Sequence, residues 1–208
     1  MKLSVSSQQH EYFQAQHLIV FEGVLTSEEI SELEANIDKA LAVKLKRTVD
    51  QVWREPADKI FLAGLNLWQS SIPIRKLITS TRLSSVASQL LNQKPMRMGY
   101  DLYIKPGNAH FLEPLRPFNE ICCIQGLLGG ILICLEGQKA GNMAVFGPEL
   151  QIDASKIFDG NPFLLVTYAH PMSLFIRRVS DPMYLVLQEI GYGYGDRLSD
   201  ALSPIIYK

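Results

Sequence analysis

The spacing of apolar positions changes character near residue 93. Upstream, hydrophobic residues recur at three- and four-residue steps, the mark of helices with one buried face. Downstream, they gather into short runs separated by turn residues, the mark of strands. In the upstream half, residues 17–21 (His-Leu-Ile-Val-Phe) read as a short strand broken at Gly23. Thr26-Ser27-Glu28-Glu29 is a capping box, in which the Thr26 hydroxyl takes the Glu29 amide and the Glu29 side chain reaches back. The helix it opens is expected to run to about Leu45, with Ile30, Leu33, Ile37 and Leu41 on its buried face. Residues 48–53 predict a further helical turn ended by Pro56, and residues 65–69 another. Pro73 can open a helix from Ile74 to about Ser80. Residues 81–91 predict a helix with Leu83, Val86, Ala87 and Leu90 on one side, closed by Asn92 and Pro95.

Strands are expected at 97–104, 121–125, 128–135, 143–146, 163–168, 174–178 and 183–189. The runs 121–125 and 128–135 are apolar throughout, so both of their faces should be buried. Turns are marked by Pro106-Gly107, Gly137, Ala140-Gly141, Gly147-Pro148, Asp159-Gly160 and Asp181-Pro182. Short strands at this spacing argue for a sandwich or barrel and against alternating βα units. With no repeat and no low-complexity linker, the chain is expected to be a single domain, 1–208. Residues 1–93 would form a mainly helical buttress, and 94–208 a β core with a Gly/Tyr tail. The fold class is therefore α+β, mainly β.

Composition adds limits. At 208 residues the chain can bury a core without staples. A net charge of -1 leaves no basic footprint for nucleic acid and no polybasic membrane patch. Lys44, Lys46 and Arg47 cluster where a helix ends, as the helix dipole favours. The apolar run 121–135 is too short for a membrane span and is interrupted by Gln125 and several glycines. The polar first sixteen residues lack the apolar core of a signal peptide. Three cysteines, Cys122, Cys123 and Cys134, sit in apolar sequence, which fits free buried thiols, a reducing compartment and a cytoplasmic location. With no positive neighbour to lower their pKa, Cys122 and Cys123 are not expected to be nucleophiles. On a strand they would face opposite sides.

The candidate chemistry lies in the histidines, of which the chain has 4. His110 follows the strand-like Tyr100-Asp101-Leu102-Tyr103-Ile104-Lys105, and Glu113 stands three residues on. His170 ends the apolar run that begins at Pro162, with Arg177 and Arg178 close behind. A first His with a nearby carboxylate, a distal His and then an Arg is the order of a non-haem iron site that binds a 2-oxo acid. In an extended strand, however, a carboxylate at i+3 faces away from its histidine.

The order of these pieces resembles the phytanoyl-CoA dioxygenase-like proteins. The resemblance rests on residues 13–40 (a Val/Ile pair, Glu22-Gly23, a capped Glu-rich helix), on the helical region 67–91, and on the strand and Lys105-Pro106 turn before His110. It implies a double-stranded β-helix (jelly-roll) core, with Fe(II) and 2-oxoglutarate as cofactors. His110, Glu113 and His170 would hold the metal, and Arg177 or Arg178 would grip the oxo acid. The i+3 carboxylate departs from the family's His-x-Asp/Glu motif. Two readings follow, with no catalytic residue assigned in either. One is a non-catalytic binding or interaction scaffold whose iron site is degenerate or lost. The other is an active hydroxylase of a small or lipid-like substrate. Tyr100, Tyr103, Phe111 and Phe118 are expected to be ordinary core residues; alternatively they would line the barrel mouth and suit a small-molecule or apolar ligand. A homodimeric structural protein is a third class. In the tail, Gly191-Tyr192-Gly193-Tyr194-Gly195 lacks the strand and helix of a phosphate-binding loop, so it is expected to be structural.

Overall fold

The computed structural model describes residues 4–105, 107, 110–112 and 115–207, without the side chain of Phe111. Among these residues six strands form one antiparallel sheet. They are β1 (Leu18–Phe21), β2 (Met96–Ile104), β3 (Ile124–Cys134), β4 (Met143–Phe146), β5 (Phe163–Phe175) and β6 (Ile205–Ile206). The sheet order is β1-β4-β3-β5-β2-β6. Register is fixed by alternation. Ile131 and Ile133 share a face with Leu164, Val166 and Val145, and all are packed under the helices. Leu132 and Cys134 share the other face with Phe163, Leu165, Ala144 and Phe146. A slip of one residue would exchange these sets, so burial of both faces locks the pairing.

The helical layer covers the first face. It comprises α1 (Ser7–Gln16), α2 (Ser27–Leu45), α3 (Val49–Val52), α4 (Ala57–Ala63), α5 (Leu67–Ser70), α6 (Ile72–Ile78) and α7 (Thr81–Leu91). The capping box of α2 forms as its sequence predicts, and Ile30, Leu33, Ile37 and Leu41 are buried. Helix α7 matches its expected span and ends at Asn92 in the left-handed conformation. Helix α5 is started from a distance. The buried Asp101 carboxylate on β2 accepts the Leu67 amide at 2.9 Å and the Trp68 amide at 3.4 Å. This bolts the helical layer to the sheet.

The second face is closed by α8 (Phe118–Ile121), α9 (Met183–Glu189) and the C-terminal segment. Beyond bulges, β3 and β5 continue and pair again at Ile124–Phe175 and Gln125–Leu174. The tail then pairs with β5: the Phe175 amide donates to Asp196 O at 2.8 Å, and the Leu198 amide to Ser173 O at 3.1 Å. The sheet thus curls over its own inner face, which makes the core a jelly roll. At the β2 bulge the Thr167 hydroxyl takes the Tyr100 amide at 2.8 Å and donates to the Tyr100 carbonyl at 3.1 Å. A Cβ on Gly99 would meet that hydroxyl at 2.3 Å, so the close approach requires glycine.

Several expected elements differ. Residues 183–189 form helix α9, not a strand. Met183, Tyr184 and Leu187 are its buried positions, and the Asp181 carboxylate accepts the Met183 amide at 2.8 Å. A seven-residue apolar run carries too little periodicity to separate the two states. The expected strand at 121–125 begins only at Ile124, because residues 118–121 are helical. The expected strand 163–168 and the first two residues of that at 174–178 belong to one bulged strand, β5, which ends at Phe175. Helices α1 and α4 have no counterpart in the pattern: α1 buries only Phe13 and α4 only Ile60 and Ala63.

Candidate functional site

Strand β5 decides where His170 points. Inward positions are Phe163, Leu165 and Ala169, while Leu164, Val166 and Tyr168 face the helices. His170 follows Ala169, so alternation turns it away from the jelly-roll interior. There the strand leaves the ladder: Ala169 pairs with Leu127 and Leu174 with Gln125, so residues 170–173 bulge opposite Gly126 alone. His170 is exposed, and its Nδ1 accepts the Met172 amide at 3.2 Å. His110 is an exposed residue of a short 3-10 turn, His110–Leu112. Arg177 and Arg178 follow β5 and are exposed. Arg178 borders an open hollow of about 600 Å³ that Glu120, Gln125, Gly126 and Tyr194 also line. Glu113 lies outside the described residues. Among the described residues no three His, Cys, Asp or Glu side chains are placed to hold a metal ion. Of the three expected iron ligands, His110 and His170 are thus both exposed, and Glu113 is not described.

The interior of the jelly roll holds a different polar cluster. Tyr100, Cys122, Cys123 and Asp181 are all buried, at 0%, 0%, 0% and 1% exposure. Asp181 is the hub. One of its oxygens accepts the Cys123 amide at 2.6 Å and the Tyr100 hydroxyl at 3.3 Å, and the other accepts the Met183 amide. Burial raises the Asp181 pKa, while its hydrogen bonds from the Cys123 and Met183 amides pull it back. Burial, and then the nearby Asp181 carboxyl, push both thiols well above their ordinary range. Such thiols are not nucleophiles at neutral pH. The cluster therefore joins β2, the segment before β3 and the start of α9, and its chemistry is cohesive. Cys122 and Cys123 do not face opposite sides as a strand would dictate, because they precede β3 and both lie near Asp181. Among the described residues, all three cysteines are free and buried. Asp181 had been legible only as half of a turn dipeptide; no local signal marks a turn aspartate that will be buried.

The aromatic set divides in the same way. Tyr100 and Phe118 are in the interior, with Phe118 edge-on to Phe146 at 5.3 Å. Tyr103 faces the helices, and the side chain of Phe111 is not described. The tail is structural: Tyr192 packs on Phe175 at 6.1 Å and its hydroxyl accepts the Ser199 amide at 2.7 Å. A separate groove of about 460 Å³ runs between α2, α6 and α7, with Leu33, Ile72, Ile74 and Leu77 on its walls. Arg82 and Glu29, paired at 2.8 Å, edge it.

With this architecture in view, the chain shares its jelly-roll fold with several solved proteins. SnoK, a non-heme alpha-ketoglutarate-dependent carbocyclase from nogalamycin biosynthesis, matches with a TM-score of 0.62 and 13% identity, over 97% of this chain and 96% of SnoK. The epimerase SnoN, solved with Fe3+, alpha-ketoglutarate and nogalamycin RO, matches at 0.58 and 11%, over 95% of this chain and 97% of SnoN. CT296 from Chlamydia trachomatis matches at 0.56 and 19%, over 81% of this chain and 97% of CT296. At these identities the likeness is one of fold. No protein-family model and no curated protein matches the sequence. Among the described residues, no helix is long and apolar enough to cross a membrane.

Proposed function

We propose that this chain is an oxygenase-fold protein whose iron site is degenerate, and that it works as a binding scaffold. The observation that carries the reading is the outward parity of His170 beside an interior already filled by Tyr100, Cys122, Cys123, Asp181, Phe118 and Phe146. A facial site needs donors that converge with open positions for ligands. This interior instead offers one carboxyl group that is spent on two amides and a phenol. The iron and alpha-ketoglutarate bound by SnoN then have no purpose-built seat here. His110, Glu113 and His170, with Arg177 or Arg178, would have to be assembled by rearrangement of the His110 turn and the β5 bulge. The apolar groove between α2, α6 and α7 is the surface that suits a small apolar ligand.

The test is an anaerobic titration of the purified protein with Fe(II) and 2-oxoglutarate, with His170→Ala in parallel. The expected result is no visible metal-to-ligand charge-transfer band in either protein while both stay folded by circular dichroism. A band that saturates near one iron per chain and disappears in His170→Ala would overturn the proposal. It would establish the iron site and favour the alternative, an active hydroxylase.

A further inference from the structure

Strand β1 ends the sheet and pairs only with β4. The His17 carbonyl accepts the Gly147 amide at 2.8 Å, and the register carries the bonded positions on to Ile19–Val145 and Phe21–Met143. Bonded and non-bonded pairs alternate in an antiparallel ladder. Leu18 and Val20 therefore turn their N–H and C=O groups outward, where they have no partner among the described residues. Natural edges are commonly blunted by a charge, a proline or a bulge. Leu18-Ile19-Val20-Phe21 has none of these, and Val20 is 46% exposed.

This edge opens into a trough of about 750 Å³, with Ser6, Gln9 and Tyr12 on the α1 side and Leu18, Ile19 and Val20 on the strand side. None of its lining residues is charged. A strand spacing of about 4.8 Å, a rise of about 3.3 Å and a sheet thickness of about 10 Å give roughly 160 Å³ per strand residue. The trough thus has room for one strand of about four to five residues, and β1 itself has 4. The occupant that fits is extended, uncharged, of that length, and has a free edge of its own. Strand β1 of a second copy meets each condition. With Ile19 on a two-fold axis, Leu18 of each copy faces Val20 of the other, and the outward groups of both are satisfied. Glu22, the nearest acid along the strand, then lies about 20 Å from its counterpart, at about 3.3 Å per residue, so like charges do not meet. Strand β6, at the other end of the sheet, has only 2 residues. A β1–β6 contact would also run head to tail and leave a further edge open, whereas β1 on β1 closes.

We propose that this chain forms a homodimer through β1, in which the two edges pair antiparallel and each strand fills the trough of the other copy. A seam of one short strand and one helix sits at the low end of specific interfaces, so the expected Kd is on the order of 100 µM. The dimer lies at the sheet edge and does not depend on the answer to the iron question.

The experiment is sedimentation equilibrium of the full chain from about 5 to about 500 µM, with amide hydrogen exchange read at Leu18 and Val20 at both ends of that range. A reversible monomer–dimer equilibrium is expected. At that Kd about a quarter of the chains stay monomeric at about 500 µM, so exchange at the two amides should slow about fourfold. Val20→Pro removes one outward N–H and leaves the β4 ladder whole, and Val20→Asp sets like charges beside the seam. Both are expected to be folded and monomeric throughout. Leu185→Asp, at a 59%-exposed site on α9, should dimerise as the parent does. A parent chain that is monomeric at every concentration would overturn the inference and leave the trough to a strand from another protein. So would dimers in which the Leu18 and Val20 amides exchange as in the monomer, or undiminished dimerisation of folded Val20→Pro.

Discussion

Replacing Asp101 by Asn isolates a buried charge whose effect is large enough to measure. Asp101 is fully buried on β2, and burial raises its pKa from 3.8 to about 7, against the opposing pull of the Trp68 and Leu67 amides and of Lys44. In the unfolded chain the carboxyl ionises near its ordinary value. Between those two pKa values the folded protein holds a proton that the unfolded chain has released. Stability from this group is therefore fully present below pH 3.8 and is lost as pH rises through about 7. A shift of about three units corresponds to roughly 4 kcal/mol. Lys44, which donates to the Leu65 carbonyl and whose own pKa burial lowers, softens the loss while it stays charged.

Asparagine has the same shape and cannot ionise. It keeps an acceptor for the Leu67 amide and gives up the long bond to Trp68, at a pH-independent cost of about 1 kcal/mol. The assay is urea unfolding of both proteins at half-unit steps from pH 4.5 to 8. Asp181, raised in the same direction, is present in both and cancels. The wild type should start more stable and lose about 3–4 kcal/mol relative to the variant by pH 8, so that the curves cross. Parallel curves across this range would refute the argument. They would mean that the carboxylate stays ionised in the fold and that its amide donors outweigh its burial.

Two other substitutions test the frame. Ile131 and Leu132 are 0% exposed on opposite faces of β3. Aspartate at either buries an unpaired charge, so insoluble or unfolded protein is expected, whereas Val20→Asp on the 46%-exposed site of β1 should fold; solubility and circular dichroism decide. Thr167→Val strands the buried amide and carbonyl of Tyr100 at the bulge and should cost roughly 3 kcal/mol in chemical unfolding, with Thr167→Ser retaining most of it. A loss under 1 kcal/mol would mean that the bulge satisfies itself otherwise.

The helical layer was largely readable because its signals are local. The Thr26 box, the Ile30-Leu33-Ile37-Leu41 stripe and Asn92 each fix a boundary through neighbours within four residues. What escaped were elements held by distant partners. Helix α5 starts on a carboxylate 34 residues away, and α9 starts on Asp181, which is itself held by Cys123. Two strand expectations merged into β5 because a bulge keeps pairing on both sides, and proline and polar residues within it look like a turn.

The same distinction bears on the iron motif. Order along the chain can place a histidine, a carboxylate, a second histidine and an arginine in the right succession without placing them on the right face. A strand has period two, so one residue of phase is the whole difference between a ligand and a surface side chain. Ala169 holds the inward position beside His170 and is 0% exposed. Unless the bulge after Ala169 changes, turning His170 inward would shift Tyr168 and Val166 out of the helix interface and drive Ala169 out of the interior. Each of those residues is fully buried, whereas His170 itself is exposed at the start of the β5 bulge.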